Sequence, residues 1–471
     1  TVIDDQKTSG SEHPILVFSS KDDLVDALTQ MKTGTPFEAL RTNMNIRGTA
    51  TRTNSEFRSL LEVNMERELS ALTTVQRNEI ALDQELLEYC PNDSIIADIQ
   101  FAQLLNVSRE IQIDNTVYKY VSNGVAFTNA KDAAELKTIE EKAVKIKIMP
   151  EMESSTITLT PKVKFIPMEY QQTVYEEQST SFMHRTITEG FTLKNGTYIP
   201  ANSIREVNYT DNGDGSWIHR TWNGIFGRNI LAINKFSSKR RMRLNFYDQN
   251  YIIYANIGTE VKMQKKVCGI WWNIKAQEIR HGWSAIELKY LFPSPILPKM
   301  PINPLTKPVT YKPELPSFMK HRFPFQDEDA LLIHLPFNLY DVTNKDLNNA
   351  FKSGMNAALN AGTAWIKSEV NSYKSNGKAK NVGIFSINNN VIYTIMGADE
   401  NYISNRSTSE TKYYSKWFPG TYVIGFSLGN SVNVNNVKLD GGNSTSLQRG
   451  IVYAAVKYDN KWLAARITKD K

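Results

Sequence analysis

The fold of the middle of this chain depends on the stretch Lys239-Arg240-Arg241-Met242-Arg243-Leu244-Asn245-Phe246. Its apolar residues Met242, Leu244 and Phe246 alternate with Arg241, Arg243 and Asn245. Successive side chains of a β-strand point to opposite faces of the sheet. The alternation therefore predicts a strand of an antiparallel sheet, with the apolar residues on a core and the arginines in water.

This run lies within a longer basic and aromatic stretch, residues 235–290. Eleven Lys or Arg residues face four Asp or Glu residues there, an excess of seven positive charges, whereas the whole chain of 471 residues carries +6. A cationic, aromatic-rich surface can bind an anionic polymer, a glycan or an acidic protein. It is equally the composition of a β-domain with a solvated basic face. The aromatic residues are Phe236, Phe246, Tyr247, Tyr251, Tyr254, Trp271, Trp272, Trp283 and Tyr290.

Two groups of residues in this stretch are candidates for binding. The cations Lys239, Arg240, Arg241, Arg243, Lys265 and Lys266 could neutralise an anionic partner. Adjacent strand residues point to opposite faces, so one ring of Trp271-Trp272 can fill a core while the other stacks on a sugar or a partner. The alternative to ligand stacking is that a neighbouring segment of the chain covers the outward tryptophan of the pair. A nucleic-acid partner is disfavoured, because Phe246 lies on the face opposite Arg241 and Arg243.

An acidic segment, residues 56–88, offers a competing explanation of the basic stretch. It contains eight carboxylates and three arginines. Its carboxylates could pair with the cations of residues 235–290 inside the same molecule, which would leave neither cluster for a partner.

The chain is predicted to be of the α+β class, with five parts. Residues 1–14 are polar and read as a flexible tether, of the kind that follows a signal peptide, a lipid-modified cysteine or a trimmed terminus. Residues 15–145 form a mixed helical and hairpin unit, with a strand at 15–18, a helix opened by Ser20 and Asp23, a second helix from Asn54 and a hairpin at 110–120. Residues 146–292 form an antiparallel β-rich domain with a hairpin at Asn195-Gly196.

The last two parts are a proline-rich strap and a C-terminal domain. Half of the 18 prolines lie in residues 293–324, which excludes helix and central strand there. Residues 325–471 are predicted to place a long helix, from Thr343 or Asn344 to Asn376-Gly377, on an antiparallel sheet built from strands at 382–387, 391–396, 422–426, 452–456 and 462–467.

The catalytic motifs in the chain do not meet their structural requirements. Gly425 to Gly429 matches the G-x-S-x-G nucleophile elbow, but no histidine follows it. The loop Asp211 to Gly215 lacks the spacing of a calcium loop. The six histidines are scattered, and no phosphate-binding glycine motif occurs. The sequence therefore predicts no cofactor and no metal, although a carboxylate pair for glycoside hydrolysis would be invisible in it.

Two stretches resemble uncharacterised cell-envelope proteins of gut Bacteroidetes, a family known only as a domain of unknown function. The first runs from Asp98 to Asn106 and continues through residues 110–113 and 117–120. The second comprises residues 241–243, 249–251, 257–258, 261–266 and 269–272. The resemblance implies export, as a periplasmic or outer-membrane surface lipoprotein, and it implies no catalytic residues.

Together these observations favour an exported, non-enzymatic envelope protein that binds a glycan, an acidic polymer or another envelope protein. The alternative is an extracellular glycan-active enzyme. No apolar run reaches the roughly 20 residues of a membrane helix, so membrane association would come only through an N-terminal lipid anchor. The two cysteines, Cys90 and Cys268, are expected to be small, half-buried residues, although a disulfide between them stays open.

Overall fold

The computed structural model describes residues 13–32, 35–47, 57–91, 96, 98–143, 156–167, 190–210, 227–291, 331–334, 341–343, 382–388, 391–417 and 444–470. The first part of the chain forms β1 (Ile15–Phe18), α1 (Lys21–Lys32), α2 (Phe37–Arg41), β2 (Asn45–Arg47), α3 (Leu60–Ser70), α4 (Thr74–Leu82), β3 (Glu88–Cys90), α5 (Ile99–Leu104), β4 (Glu110–Ile113), β5 (Thr116–Val121), β6 (Gly124–Asn129), a 3₁₀-helix (Ala130–Thr138), α6 (Ile139–Ala143), β7 (Ile157–Thr158) and β8 (Lys164–Pro167).

Strands dominate the remainder of the described chain. They are β9 (Phe191–Thr192), β10 (Tyr198–Ile199), β11 (Ile204–Thr210, after a 3₁₀ turn at Ala201–Ser203), β12 (Gly227–Ser237), β13 (Arg240–Asn250), β14 (Tyr254–Val267), β15 (Ile270–Asn273), β16 (Ala276–Leu291), β17 (Leu331–His334), β18 (Asp341–Thr343), β19 (Val382–Asn388), β20 (Val391–Arg406), β21 (Thr408–Trp417), β22 (Ser444–Tyr458) and β23 (Lys461–Asp470).

The N-terminal part folds around its own sheet. Seven described strands take the order β2-β1-β4-β5-β6-β8-β7, antiparallel except for the parallel pair β1 and β4. The hydroxyl of Ser20 accepts the amide of Asp23 at 3.1 Å, which confirms the predicted start of α1. Leu24 and Leu28 are fully buried on one face of that helix. The hairpin predicted at residues 110–120 is confirmed as β4 and β5, with Asp114 at φ 51° in the turn.

The predicted second helix from Asn54 is in fact two helices. Each has its own capping box, in which the side chain of the residue before the helix and that of its third residue bond each other's backbone amides. Ser59 and Glu62 form the box of α3, and Thr73 and Gln76 form that of α4. The second box interrupts the apolar spacing that suggested one continuous helix.

The larger part of the described chain is a β-sandwich. Its first sheet has the order β12-β13-β14-β15-β3, with β21 also paired to β14. Its second sheet has the order β11-β23-β22-β16-β20-β19, antiparallel except for the parallel pair β11 and β23. Both sheets contribute fully buried side chains to one core, among them Leu244 and Val261 from the first and Ile279, Val452 and Ile467 from the second.

The alternation of faces along β13 is confirmed, although Asn245, which belongs to the predicted polar set, is only 4% exposed. Met242, Leu244 and Phe246 are at most 1% exposed and lie in the sandwich core, whereas Arg241 and Arg243 are partly exposed on the opposite face. The hairpin at Asn195-Gly196 is also confirmed: it joins β9 to β10, and Gly196 adopts the φ of 90° that this tight turn requires. The strands predicted at 452–456 and 462–467 are confirmed as parts of β22 and β23, which form a hairpin through Asp459 and Asn460.

The α+β class and its separate C-terminal helix-on-sheet domain are wrong. The protein is mostly β, with several largely antiparallel sheets. β20 and β22 pair with β16, β23 pairs with β22 and β11, and β21 pairs with β14, so C-terminal strands complete sheets begun in the middle of the chain. Local patterns cannot indicate such partners, because pairing depends on register between strands far apart in sequence.

Several predicted features lie outside the described residues. They are the tether up to residue 12, the proline-rich strap at 293–324, the helix from Asn344 to Gly377, the strand at 422–426, the Gly425–Gly429 motif and the Asp211–Gly215 loop. Within the described chain, no helix is long and apolar enough to cross a membrane.

Candidate functional site

Two of the six cations predicted to bind a partner, Arg240 and Lys265, are paired with the protein's own carboxylates. The ammonium of Lys265 lies 2.7 Å from Asp83 and 2.6 Å from Glu85, and Arg240 lies 3.1 Å from Glu85. Burial alone would lower the pKa of Lys265, but its bonds to Asp83 and Glu85 outweigh burial and raise it. The bond from Lys265 in turn lowers the pKa of Glu85. The acidic segment thus neutralises part of the basic stretch, as one of the two readings of the sequence expected.

Trp271 is covered by a cation of the same face. The guanidinium carbon of Arg241 lies 3.6 Å from the centroid of the Trp271 ring, and its Nε donates to Gln264 at 2.8 Å. The ammonium of Lys266 is 5.6 Å from the same centroid. Because this cation–π stack occupies the ring, Trp271 is only 8% exposed.

Trp272 points to the opposite face of the same strand, as the alternation predicted. It pairs across the sheet with Tyr89, and their rings meet edge to face with centroids 5.8 Å apart. Trp272 is 9% exposed and packs in an apolar cluster with Leu61 and Ile270. Neither adjacent tryptophan therefore offers an open ring face.

The other predicted binding residues differ in their surroundings. Lys239 is exposed in the turn between β12 and β13, and Lys266 is half-buried. Arg243 lies directly opposite Lys262 on β14. Lys262 is 4% exposed and forms an ion pair of 3.0 Å with Glu260. Burial opposes the charge of Lys262, but the attraction of Glu260 outweighs it and raises the pKa of the ammonium.

A second site, which we call the Glu400 site, lies on the outer face of the second sandwich sheet. The Glu400 side chain is 2% exposed. It accepts hydrogen bonds from the hydroxyl of Tyr453 at 2.6 Å, from Arg280 at 3.2 Å and from the backbone amide of Lys194 at 3.1 Å. The Tyr453 ring lies over Gly282, its register partner, where an added Cβ would come within 2.6 Å of the tyrosine hydroxyl.

The first sandwich sheet contains a similar set of a tyrosine, a glycine and a glutamate, which we call the Glu410 site. The hydroxyl of Tyr247 donates to Glu410 at 2.6 Å, and its ring lies over Gly258, where an added Cβ would again come within 2.6 Å of the hydroxyl. Burial, reinforced by the charge of Glu410, raises the pKa of Tyr247 well above its usual value. Glu410 is exposed and lies directly opposite Glu260 on β14.

An exposed aromatic residue lies beside the Glu400 site. Tyr402 is 51% exposed, and the guanidinium carbon of Arg280 lies 4.3 Å from the centroid of its ring. Further along β16, Glu278 contacts Arg280 at 3.6 Å and Lys457 at 3.7 Å. Tyr402 thus exposes its ring at the surface and contacts Arg280, which belongs to a chain of ion pairs with Glu278, Glu400 and Lys457.

The core of the sandwich contains a buried polar group. His281 is fully buried; its Nε2 bonds the Thr259 hydroxyl and its Nδ1 the Ser409 hydroxyl, each at 2.9 Å. The Thr259 oxygen also contacts the hydroxyl of Tyr413 at 3.0 Å. Burial lowers the pKa of His281 to about 4, although the charge of Glu410 acts in the opposite direction.

No sequence pattern indicated the Glu400 site. Alternation along residues 278–283 places Arg280 outside and Ile279 inside, so the outward cation was predictable. Its partner Glu400 is 120 positions away and is brought close only by the pairing of β16 with β20.

The site chemistry of the described residues is limited in other respects. Among them, no group of three or more His, Cys, Asp and Glu side chains could hold a metal ion. Both cysteines are free: Cys90 is buried opposite Trp271, and Cys268 is half-buried near Glu79. Burial raises the pKa of the Cys90 thiol, which makes it a poor nucleophile.

Comparisons with known proteins give little more. No protein-family model matches the chain, and no curated protein matches it. Among solved structures, a DUF4848 family protein from Bacteroides thetaiotaomicron is a weak neighbour, with 9% identity, 96% of each chain covered and a TM-score of 0.15. A TM-score this low supports no conclusion about fold or activity.

Proposed function

We propose that this is an exported cell-envelope protein that binds an uncharged polymer, of which a neutral glycan is the best candidate, without chemically changing it. The observation that carries the proposal is the pairing of Arg240 and Lys265 with Asp83 and Glu85. A cation already paired with a carboxylate, as Arg240 is with Glu85 and Lys265 with both Asp83 and Glu85, has little attraction left for phosphate or sulfate. The excess of positive charge in residues 235–290 is therefore a weak argument for an acidic polymer.

The exposed aromatic surface supports the choice of a glycan. Tyrosine combines an apolar ring with a polar hydroxyl and loses little entropy on binding. Tyr402 is exposed and backed by Arg280, whereas the two adjacent tryptophans are covered. The resemblance to envelope proteins supports export, and cell fractionation would test it.

A binding screen with a matched assay for turnover tests the proposal. Purified protein would be applied to an array of neutral and acidic oligosaccharides and to a heparin column at low salt. We expect retention on neutral glycans, release from heparin at low salt, and no new reducing ends after prolonged incubation. Binding confined to acidic ligands, or hydrolysis at an ordinary enzymatic rate, would contradict the proposal.

A glycan-active enzyme is the second candidate, and one observation favours it. Glu260 and Glu410 are direct cross-strand partners. Partners in this position have Cβ atoms about 5 Å apart, which suits the paired carboxylates of glycoside hydrolysis. Glu260 is, however, engaged with Lys262 and Glu410 with Tyr247. If the protein hydrolyses a glycan, Glu410→Gln should abolish that activity.

A further inference from the structure

We infer that the glycan site is the outer face of the second sandwich sheet beside Tyr402, and that its ligand is a neutral oligosaccharide chain. The inference rests on the proposed function and specifies where binding occurs. We call this surface the Tyr402 platform; it consists of Tyr402, Ser404, Glu278, Arg280 and Lys457.

The register of four strands forms the platform. Ile279 and His281 point into the core, so the neighbouring Glu278 and Arg280 point outward. Arg280 lies directly opposite Tyr402, and Glu278 lies between Ser404 on β20 and Lys457 on β22. Trp462, the partner of Lys457 on β23, ends this row about three strand spacings, or roughly 14 Å, from β20.

The platform is held rigid from beneath. Arg280 bonds the buried Glu400, which is itself fixed by Tyr453 and by the amide of Lys194. The guanidinium therefore cannot leave the Tyr402 ring without breaking bonds to a buried carboxylate. A ring that is preorganised in this way loses little freedom when a ligand stacks on it.

The charge of the platform selects the ligand class. Lys457 and Arg280 are offset by Glu278 and Glu400 through consecutive ion pairs. Counted together with the buried Glu400 beneath it, the platform carries no net charge, and it therefore gives an anionic polymer no electrostatic advantage. The partly exposed Glu278 and Lys457 and the exposed Ser404 retain hydrogen-bonding capacity for sugar hydroxyls, while the aromatic ring accepts the apolar face of a sugar.

A nearby tyrosine serves as a matched control. Tyr198 is 61% exposed and lies opposite Thr192 in the β9–β10 hairpin. Leu193 and Ile199, which directly follow Thr192 and Tyr198 in sequence, pack on the second sandwich sheet. Because successive strand residues point to opposite faces, Tyr198 points away from that sheet. It is thus an exposed tyrosine outside the platform.

Titration calorimetry would test the inference with four proteins. The probes are neutral hexasaccharides of glucose, xylose and mannose, and a heparin hexasaccharide. For the neutral probe that binds wild type best, Tyr402→Ala should weaken binding at least about tenfold, as expected when a central aromatic contact is removed. Tyr402→Phe should bind within about twofold of wild type because the ring remains, and Tyr198→Ala should not change affinity. Circular dichroism would verify that each variant is folded.

The outcomes separate the inference from the proposed function. If wild type binds a neutral probe and Tyr402→Ala binds equally well, the assigned site is wrong while the function stands. The same holds if Tyr198→Ala causes the larger loss. Tighter binding of the heparin probe would overturn the neutral ligand class. If wild type binds none of the neutral probes, the proposed function fails together with the site.

Discussion

The Glu400 and Glu410 sites place the same three residue types in different surroundings. In each, a tyrosine ring lies over a cross-strand glycine and its hydroxyl donates to a glutamate at 2.6 Å. In the second sheet Glu400 is buried and also bound by Arg280 and a backbone amide, whereas in the first sheet Glu410 is exposed and Tyr247 is the buried member. The comparison teaches that the tyrosine–glutamate bond is common to both sheets, while the burial of the carboxylate differs between them.

The largest expected difference between the sites is in the cost of losing the carboxylate charge. Glu400→Gln leaves the half-buried Arg280 without its charged partner, and removing one member of a buried ion pair costs about 4 kcal/mol. Glu410→Gln should cost about 1 kcal/mol or less, because the interactions of an exposed charge are weakened by the surrounding water. Guanidinium chloride unfolding followed by tryptophan fluorescence would measure both values. Equal losses would show that burial does not distinguish the sites.

The contrast between the sites also marks what a sequence can predict. Residues that act within one strand or one turn were predictable: the alternation of β13, the Asn195-Gly196 hairpin and the start of α1 follow from local rules. Residues that act through register were not. Arg280 meets Glu400, and Tyr247 meets Glu410, only because strands far apart in the chain pair with a particular offset.

The candidate site illustrates the same limit. The sequence correctly placed Arg241 on the outer face of its strand and Trp271 and Trp272 on opposite faces, and it offered the acidic segment as an internal partner. It could not determine that Arg241 would stack on Trp271, since nothing local fixes the distance between them. The α+β class failed for the same reason, because the pairing of β22 and β23 with the middle of the chain is not encoded locally.

The second prediction concerns His281. This residue directly precedes Gly282 of the Glu400 site, but the charge that affects its pKa is that of Glu410 in the other site. The folded protein keeps this buried ring neutral down to about pH 4, whereas the unfolded chain takes up a proton near its usual pKa of 6.5. The unfolded state therefore binds more protons between these values. Stability should fall as the pH drops from 6.5 to 4, by on the order of 3 kcal/mol.

A pH series of urea unfolding with His281→Gln would test this assignment. Glutamine can still bond both hydroxyls but does not titrate, so the variant should lose much of the slope between pH 6.5 and 4. Glu410→Gln should lower the pKa of His281 further, whereas Glu400→Gln should leave it unchanged. A wild-type slope in His281→Gln would assign the acid sensitivity to other groups.

The third prediction tests whether the two glycines are equally constrained. A Cβ atom at Gly282 would lie 2.5 Å from the carbonyl oxygen of Asp399, and one at Gly258 would lie 2.5 Å from that of Thr411. Because backbone must move in both cases, alanine should cost between about 2 and 3 kcal/mol at each position. Gly196→Ala is a useful contrast, since its added Cβ would meet no atom within 4 Å and only its φ of 90° opposes the change. Differential scanning calorimetry would rank the three variants.

The smallest expected effect separates the tyrosine hydroxyls. Tyr453→Phe removes one of three described donors to a buried carboxylate and should cost about 1 kcal/mol. Tyr247→Phe removes a donor to an exposed carboxylate, and the hydroxyl group itself no longer needs burial, so the cost should be about 0.5 kcal/mol. Tyr198→Phe, at an exposed position, should cost nothing measurable. Denaturant midpoints at pH 7 would resolve this order, and a larger loss for Tyr247→Phe than for Tyr453→Phe would mean that the tyrosine's burial, rather than the carboxylate's, determines the strength of each site.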